Sequence, residues 1–459
     1  MFPVTTIIET IAADFKDTML EIVENRTSNI AEIEMLFVGA FNKGFAAFVT
    51  AYIEELDREI LEDKKGRKEK GLVVQRREDP RQLLTLFGEV NYNRTYYKKA
   101  VGYEYPVDTL TGIDSYSRIS SLTESELVDK ACTVSYGKSS EFVTNGVVSR
   151  QTVMSKIRNA YAPEPQDEPE KRKVKYLHID ADEDHVSVRK KKSAIVPVIS
   201  VYEGIETHNK RRKCTNIFHI SEYGRTAAEL WEKVLTGIEN RYDISDTRIY
   251  IHGDGADWIA EGLEWFTRPV FVLDPYHKNK RLKQLLTGFT LEDRKAWSKA
   301  LETAFRDGDK DFLTDAGLSM IESYPERAEN IVDNMQYLIN NFDGIHVRYV
   351  DEEARNGGAT EPHVQHVLSY RLSSTPHVWS EETLRHLVPI LAAGEHTFEE
   401  PVVMPQPKLK MSDLEAKKRK TVPYSAGLPD PGKMIFLPAK QYKRCPIQRI
   451  LTNFSNSNF

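Results

Sequence analysis

The stretch YIHGDGADWI, Tyr250 to Ile259, decides how the chain is read. The run from Arg248 to His252 alternates branched and aromatic residues, which suits a strand, and glycines then let the backbone turn sharply. Asp254 therefore stands at a strand tip between Gly253 and Gly255. An acid at the end of a buried strand is unfavourable unless something positive meets it, and a metal ion is the candidate. On this reading the flanking glycines let a hydrated cation and a phosphate approach the tip closely.

Upstream, KYLHIDADEDHVSVR, AIVPVISVYEGI and CTNIFHISEYG form three β-like runs, with KKK and ETHNKRRK as separators. A helix over TAAELWEKVLTGIENRYD follows, then the strand ending at Asp254, the helix ADWIAEGLEWF, the strand PVFVLDP and the helix YHKNKRLKQLL. Three strands followed by strand–helix alternation is an α/β order in which the first and fourth strands become neighbours. Asp180 or Asp182 would then lie beside Asp254. These two, with Asp184 if the strand stays regular, point to one face, where their repulsion calls for a cation unless an edge position or an exposed strand end relieves it. Residues 290–345 read as amphipathic helices without a strand. Beyond them, GGATEPHVQHVLSYRLSS sets Glu361 at a helix start, after a flexible approach through Gly357 and Gly358. Oxygen ligands of this kind suit magnesium or manganese.

The N-terminal part has a different texture. IAEIEMLFVGAFNKGFAAFVTAYIEELDREILEDKK repeats apolar residues at three and four, a packing or dimer helix, and EDKKGRKEKG reads as a solvated linker. QLLTLFGEVNYNRTYYKKAVGYEYPVD suggests a small hairpin. In YGKSSEFVTNGVVSRQTVMSKIRNA a turn at Asn145-Gly146 precedes a helix capped by Ser149, the spacing of a helix-turn-helix. Its second helix would offer Arg150, Gln151, Lys156 and Arg158 to DNA. YAPEPQDEPEKRK, residues 161–173, marks a boundary.

The net charge of −6 hides an uneven distribution: residues 401–459 carry eleven Lys/Arg against three Asp/Glu, a local +8 that leaves −14 elsewhere. Such a tail would add salt-sensitive affinity for DNA. Cys132, Cys214 and Cys445 show no paired spacing, which argues against a disulfide framework and a cysteine zinc site. No secretory signal is recognisable and no apolar stretch is read as reaching a membrane span, so a cytoplasmic, nucleoid-associated protein is expected.

The combination of IDADEDHVSV, IHGDGADWI, LDPYHKNKRL and EPHVQHVLSYRLSS with TPHVWS resembles the ISLre group of insertion-sequence transposases, long catalogued as an uncharacterised bacterial family. The resemblance covers essentially the whole chain. It implies an α/β, ribonuclease-H-like (retroviral-integrase-like) catalytic domain interrupted by a helical insertion, behind a mainly helical N-terminal region with a small β-hairpin. The expected divisions are 1–75 helical, 76–115 hairpin, 116–165 helix-turn-helix-like, 174–288 and 346–395 catalytic core, 289–345 helical insertion and 396–459 basic tail. Carried over by position, the acids are Asp182, Asp254 and Glu361, with Asp180 as the alternate first ligand, holding two Mg²⁺ or Mn²⁺ ions. Pro362 departs from the glycine expected there. His277, Lys278, Lys280, Arg281 and Arg371 would position the DNA backbone. The partners implied are double-stranded DNA, both terminal inverted repeats and target, and a second copy of the chain; no membrane is implied. A metal-dependent nuclease without strand transfer and a non-catalytic DNA-binding protein on the same fold are the competing classes.

Overall fold

The computed structural model describes residues 4–398 except 28, 166, 190, 210, 359, 375 and 376, so the basic tail lies outside the described residues. The chain divides into two compact units, Met1–Lys156 and Ile157–Phe459. The division falls inside a helix, a few residues before the Pro-rich stretch expected to mark it.

The first unit begins with α1 (Val4–Glu24), α2 (Ile30–Glu62) and α3 (Lys64–Glu69). The Asn29 side chain caps α2 by accepting from Ala31 N at 3.1 Å. By length and composition α2 is long and apolar enough to cross a membrane, which corrects the reading that no stretch is. Its residues Phe45, Val49, Ile53 and Leu56 pack instead on a hairpin, against Leu83, Val90 and Tyr92. The run taken for a linker forms α3, capped by the Asp63 carboxylate on Gly66 N.

The hairpin joins β1 (Val73–Thr85) to β2 (Gly88–Lys98), with β3 (Tyr103–Glu104) at its edge. It is longer than expected because the charged run Arg76–Pro80 is drawn into β1. Two register shifts, with Glu78 at φ +52°, accommodate Pro80 and the extra residues. After α4 (Pro106–Thr111) come α5 (Ser121–Ala131), α6 (Tyr136–Thr144) and α7 (Arg150–Arg158). Asn145 and Gly146 both take positive φ to end α6, and Ser149 Oγ accepts from Thr152 N at 3.1 Å to start α7.

The second unit is mixed α/β. Its strands are β4 (Tyr176–Val186), β5 (Ala194–Tyr202), β6 (Ile205–His208), β7 (Arg211–Cys214), β8 (Phe218–Ile220), β9 (Arg248–Gly253) and β10 (Pro269–Leu273). Five of them form a sheet in the order β10-β9-β4-β5-β8. The central pairs β4–β9 and β9–β10 are parallel, whereas β4–β5 and β5–β8 are antiparallel. The run ETHNKRRK is not a mere separator: it supplies most of a separate β6–β7 hairpin.

One face of β4 carries Leu177, Ile179 and Ala181 into a core with Leu230, Trp231, Val234 and Ile238 of α8 (Ala227–Glu239). Thr226 and Glu229 close a capping box at the start of α8. The helix expected after Asp254 is one turn, α9 (Asp257–Ala260), followed by a tighter 3-10 turn over Glu261–Trp265. There Gly262 lies so close to Trp231 that a Cβ would come within 2.3 Å of the indole ring. Gly262→Ala is expected to lower stability by about 1–3 kcal/mol through overpacking. Urea unfolding followed by tryptophan fluorescence measures this, and an unchanged midpoint would mean that the ring gives way freely.

α10 (Pro275–Leu285) is the helix expected to close the first part of the core, and α11 (Leu291–Asp307), α12 (Asp311–Ser323), α13 (Ala328–Asn340) and the start of α14 (Phe342–Val350) occupy the region expected to be an insertion. They are built onto the sheet, since Phe271 and Leu273 of β10 share their core with Leu285, Phe305 and Leu338. α15 (Glu352–Asn356) leads to one continuous helix: α16 (Thr360–Val364), a π turn (Gln365–Ser369) and α17 (Tyr370–Leu372). α18 (Glu381–Ala393) ends the described chain.

Candidate functional site

Asp180 of β4 lies opposite His252 of β9 in a parallel pair, so Asp182 and Asp254 each follow two residues further on. On the other side of β9, Leu273 pairs with Gly253, and Asp274 N donates to Gly253 O at 2.9 Å. Asp182, inside β4 just past its parallel pairing with β9, thus adjoins Asp254 and Asp274, which directly follow β9 and β10. Burial pushes the Asp182 carboxyl up to about 6, and the Asp254 and Asp274 carboxylates add to the rise, while the Glu183 amide and His277 oppose it. Burial is the larger cause, and the neighbouring acids add to it.

Asp254 holds its own turn by accepting from Ala256 N at 2.9 Å. Tyr337 of α13 donates to the Asp254 carbonyl, so α13 braces this turn. The flanking glycines have a reason different from the one the sequence suggested. A Cβ on Gly253 would come within 2.8 Å of Ile259 and 3.0 Å of the Ala181 carbonyl. One on Gly255, at φ +87°, would come within 2.2 Å of Asn341. The protein's own packing, not an approaching ligand, fills the space beside both glycines.

Asp274 and His277 escaped the sequence reading as members of the acid cluster. Asp274 is buried, caps α10 through Tyr276 N at 3.1 Å, and stands 3.3 Å from His277 Nδ1. Asp274 holds the His277 imidazole above its usual range, aided by the charges of Asp182 and Asp254. The available signal was an acid directly after the apolar run PVFVL, followed by a proline suited to a first helical turn.

Asp180, on the same strand face as Asp182, is turned to other work. Its Oδ1 accepts from Tyr202 OH at 2.9 Å, its Oδ2 lies 3.2 Å from His363 Nδ1, and it is 2 % exposed. His363 Nε2 lies 3.3 Å from Cys214 Sγ. Alongside, His178 Nδ1 and His252 Nε2 are 2.9 Å apart in full burial, and burial pushes His252 down to about 3, so the pair shares one N–H and one lone pair. Gly357 covers this pair; its Cβ would come within 2.3 Å of both rings. Close packing, rather than the flexible approach expected, requires glycine there.

Glu361 falls in the first turn of α16, the helix that lies against β4, but its side chain is outside the described residues. Among the described residues, no three His, Cys, Asp or Glu side chains converge closely enough to grip one ion. The donor type nevertheless suits a hard divalent cation: Asp182 and Asp254 are carboxylates carried by neighbouring parallel strands.

The residues expected to meet DNA fall into two groups. Arg150, Gln151 and Lys280 are exposed. Lys156 is paired with Glu124, and Arg158 is bound to Ser380 at 2.9 Å and paired with Glu382 at 2.6 Å. Lys278 reaches Glu302 at 3.1 Å, and Arg281 lies over the Tyr337 ring at 4.3 Å. Arg371 is buried against Trp379, at 4.6 Å from the ring centre, where packing rather than a phosphate holds it. Sequence spacing marked these cations but could not show which ones the fold itself engages.

The sequence pattern of a family described as "Uncharacterised protein family (UPF0236)" matches residues 23–403. Similar proteins occur in Caldanaerobacter subterraneus subsp. tengcongensis. One UPF0236 protein is 36% identical over 381 residues, covering 82% of this chain and 80% of the relative, and its name joins eleven locus designations. A second is 36% identical over 383 residues, covering 82% and 81%. A third, whose name joins four loci, is 35% identical over 383 residues, covering 82% and 80%.

Proposed function

The chain belongs to the uncharacterised protein family UPF0236, and from that premise we propose that it is the transposase of a bacterial insertion sequence of the ISLre type. The observation that carries this reading is copy number: one relative's name joins eleven loci of a single genome, and another's joins four. A coding sequence repeated in this way is what a self-mobilising element leaves behind. The five-stranded sheet, with its first strand between an antiparallel partner and a parallel one, is read as a ribonuclease-H-like core.

On this reading Asp182 and Asp254, with Glu361 from α16, would hold two Mg²⁺ or Mn²⁺ ions. When bound, such ions activate an attacking oxygen and stabilise the leaving one in an in-line phosphodiester displacement. The chain's own groups orient the site. Tyr337 fixes the Asp254 turn, and Asp274 holds the His277 imidazole beside the acids. Arg150 and Gln151, exposed on α7, are the proposed readers of the element's terminal repeats. The reaction class is hydrolysis that frees a 3′-hydroxyl, then transesterification into target DNA. Two ends handled together imply a dimer or larger assembly.

The test is incubation of the purified full chain with a labelled element end. With Mg²⁺, nicked and joined products are expected; with EDTA, both vanish while binding persists, and added Mg²⁺ restores them. Cutting without joining would instead indicate a nuclease, and binding without cutting a DNA-binding protein. Failure to bind the end would overturn all three readings.

A further inference from the structure

Three carboxylates alternate along one face of β4, and the middle one, Asp182, feels the charges of Asp254 and Asp274. We infer that Asp184 is a positioning residue that, with Asp180, holds the helix bearing Glu361 in register with Asp182; this rests on the reading of Glu361 as a metal-binding acid.

Asp184 is buried, and its Oδ2 accepts from Ser369 Oγ at 3.0 Å and from Ser373 Oγ at 2.7 Å. Ser369 closes the π turn and Ser373 follows α17. A π turn is less favourable than continued α-helix and persists where tertiary contacts support it. Here the support is directional, because one buried oxygen receives two hydroxyls one helical turn apart.

At the other end of the helix, Asp180 stands 3.2 Å from His363 Nδ1, two residues after Glu361. Tyr202, which donates to Asp180, also accepts from Gly358 N at 3.0 Å in the approach to α16. The chain leaving the helix then meets the segment just after β4, where Trp379 N donates to Ser187 O and Arg189 N donates to Trp379 O, both at 2.9 Å. β4 and the residues that follow it therefore grip the helix near its start, at its π turn and after its exit. An apolar residue at 184 would fill the space, but it would take the shared acceptor from the Ser369 and Ser373 hydroxyls and supply no direction. The position of Glu361 along β4 is thus set by the acids on either side of Asp182.

The experiment compares wild type with Asp184→Ala and Asp184→Asn in the full chain, using two readouts. The first is amide hydrogen exchange over residues 360–373. Asp184→Ala is expected to speed it and Asp184→Asn, which keeps an acceptor, to restore most of the protection. The second is cleavage of the element end against Mg²⁺ concentration. Asp184→Ala is expected to lower the maximal rate ~10–100-fold and to raise the Mg²⁺ needed for half the rate, at unchanged DNA affinity. Unaltered exchange in Asp184→Ala overturns the inference whatever the activity. Faster exchange in a protein whose wild type never cleaves DNA overturns the functional reading and leaves the tether standing. If Asp184→Ala does not fold, Ser373→Ala removes one of the two hydroxyls and reads the same tether.

Discussion

Replacing Asp254 by Asn is expected to lower strand cleavage by about three orders of magnitude, roughly 4 kcal/mol of transition-state stabilisation, if the proposed chemistry holds. The substitution keeps the shape of the side chain and an oxygen to accept from Ala256 N. The brace from Tyr337 acts on the backbone carbonyl and survives as well. What is lost is one negative charge at the strand tip, so folding and DNA affinity should be preserved. Asp182→Asn should behave alike, because its carboxyl sits in the same field of acids. Asp180→Asn is the discriminating control: its partners are Tyr202 and His363, so the loss should be much smaller. Single-turnover cleavage at saturating Mg²⁺ measures all three. Full cleavage by Asp254→Asn would remove the site, and equal loss in Asp180→Asn would reassign the first acid.

A comparably large effect on stability is expected from Asp108→Ala in the first unit. Asp108 is 2 % exposed and accepts from Arg81 Nη1 at 2.8 Å, from Arg94 and from Tyr92 OH at 3.3 Å. Both arginines are themselves buried. Removing the carboxylate leaves two buried guanidinium groups without their shared counterion, a loss of about 3–5 kcal/mol. Arg81 retains the carbonyls of Asp114, Ser115 and Ser117, which keeps the cost from doubling. All five tryptophans lie in the second unit, at 231, 258, 265, 297 and 379. Far-UV circular dichroism during urea unfolding therefore reports the first unit where indole fluorescence does not. An unshifted dichroism transition would show that the ion cluster contributes little.

Much of the core was legible because strands with a buried face declare themselves by alternation. RIYIHGD and KYLHIDADEDHV both do so, and their pairing followed from chain order, since a strand after a crossover helix lies parallel to its neighbour. Asp182 beside Asp254 is a consequence of that register. The turn at Asn145-Gly146 and the cap at Ser149 were legible for a similar reason: local hydrogen bonds need particular residues at particular steps.

Where charge outweighed periodicity, the reading failed. Arg76 to Pro80 falls inside the expected hairpin division but before its β-prone run, and it is strand because β2 pairs with it across two bulges. ETHNKRRK looks like a separator and supplies most of a hairpin. No apolar stretch reads as a membrane span along the sequence, yet α2 is by length and composition long and apolar enough to cross one.

The sequence by itself determined that Asp254 stands at a strand tip and the order in which the strands are met, since both depend on neighbours along the chain. Only the tertiary structure decided which acid of β4 faces the strand-end cluster and which grips a helix. Asp180, Asp182 and Asp184 share one face and one chemistry, and their separation comes from Tyr202, His363, Ser369 and Ser373, which the fold brings from distant segments. The same holds for Gly255 and Gly357, whose missing Cβ atoms make room for Asn341 and for two histidines that no local pattern could place beside them.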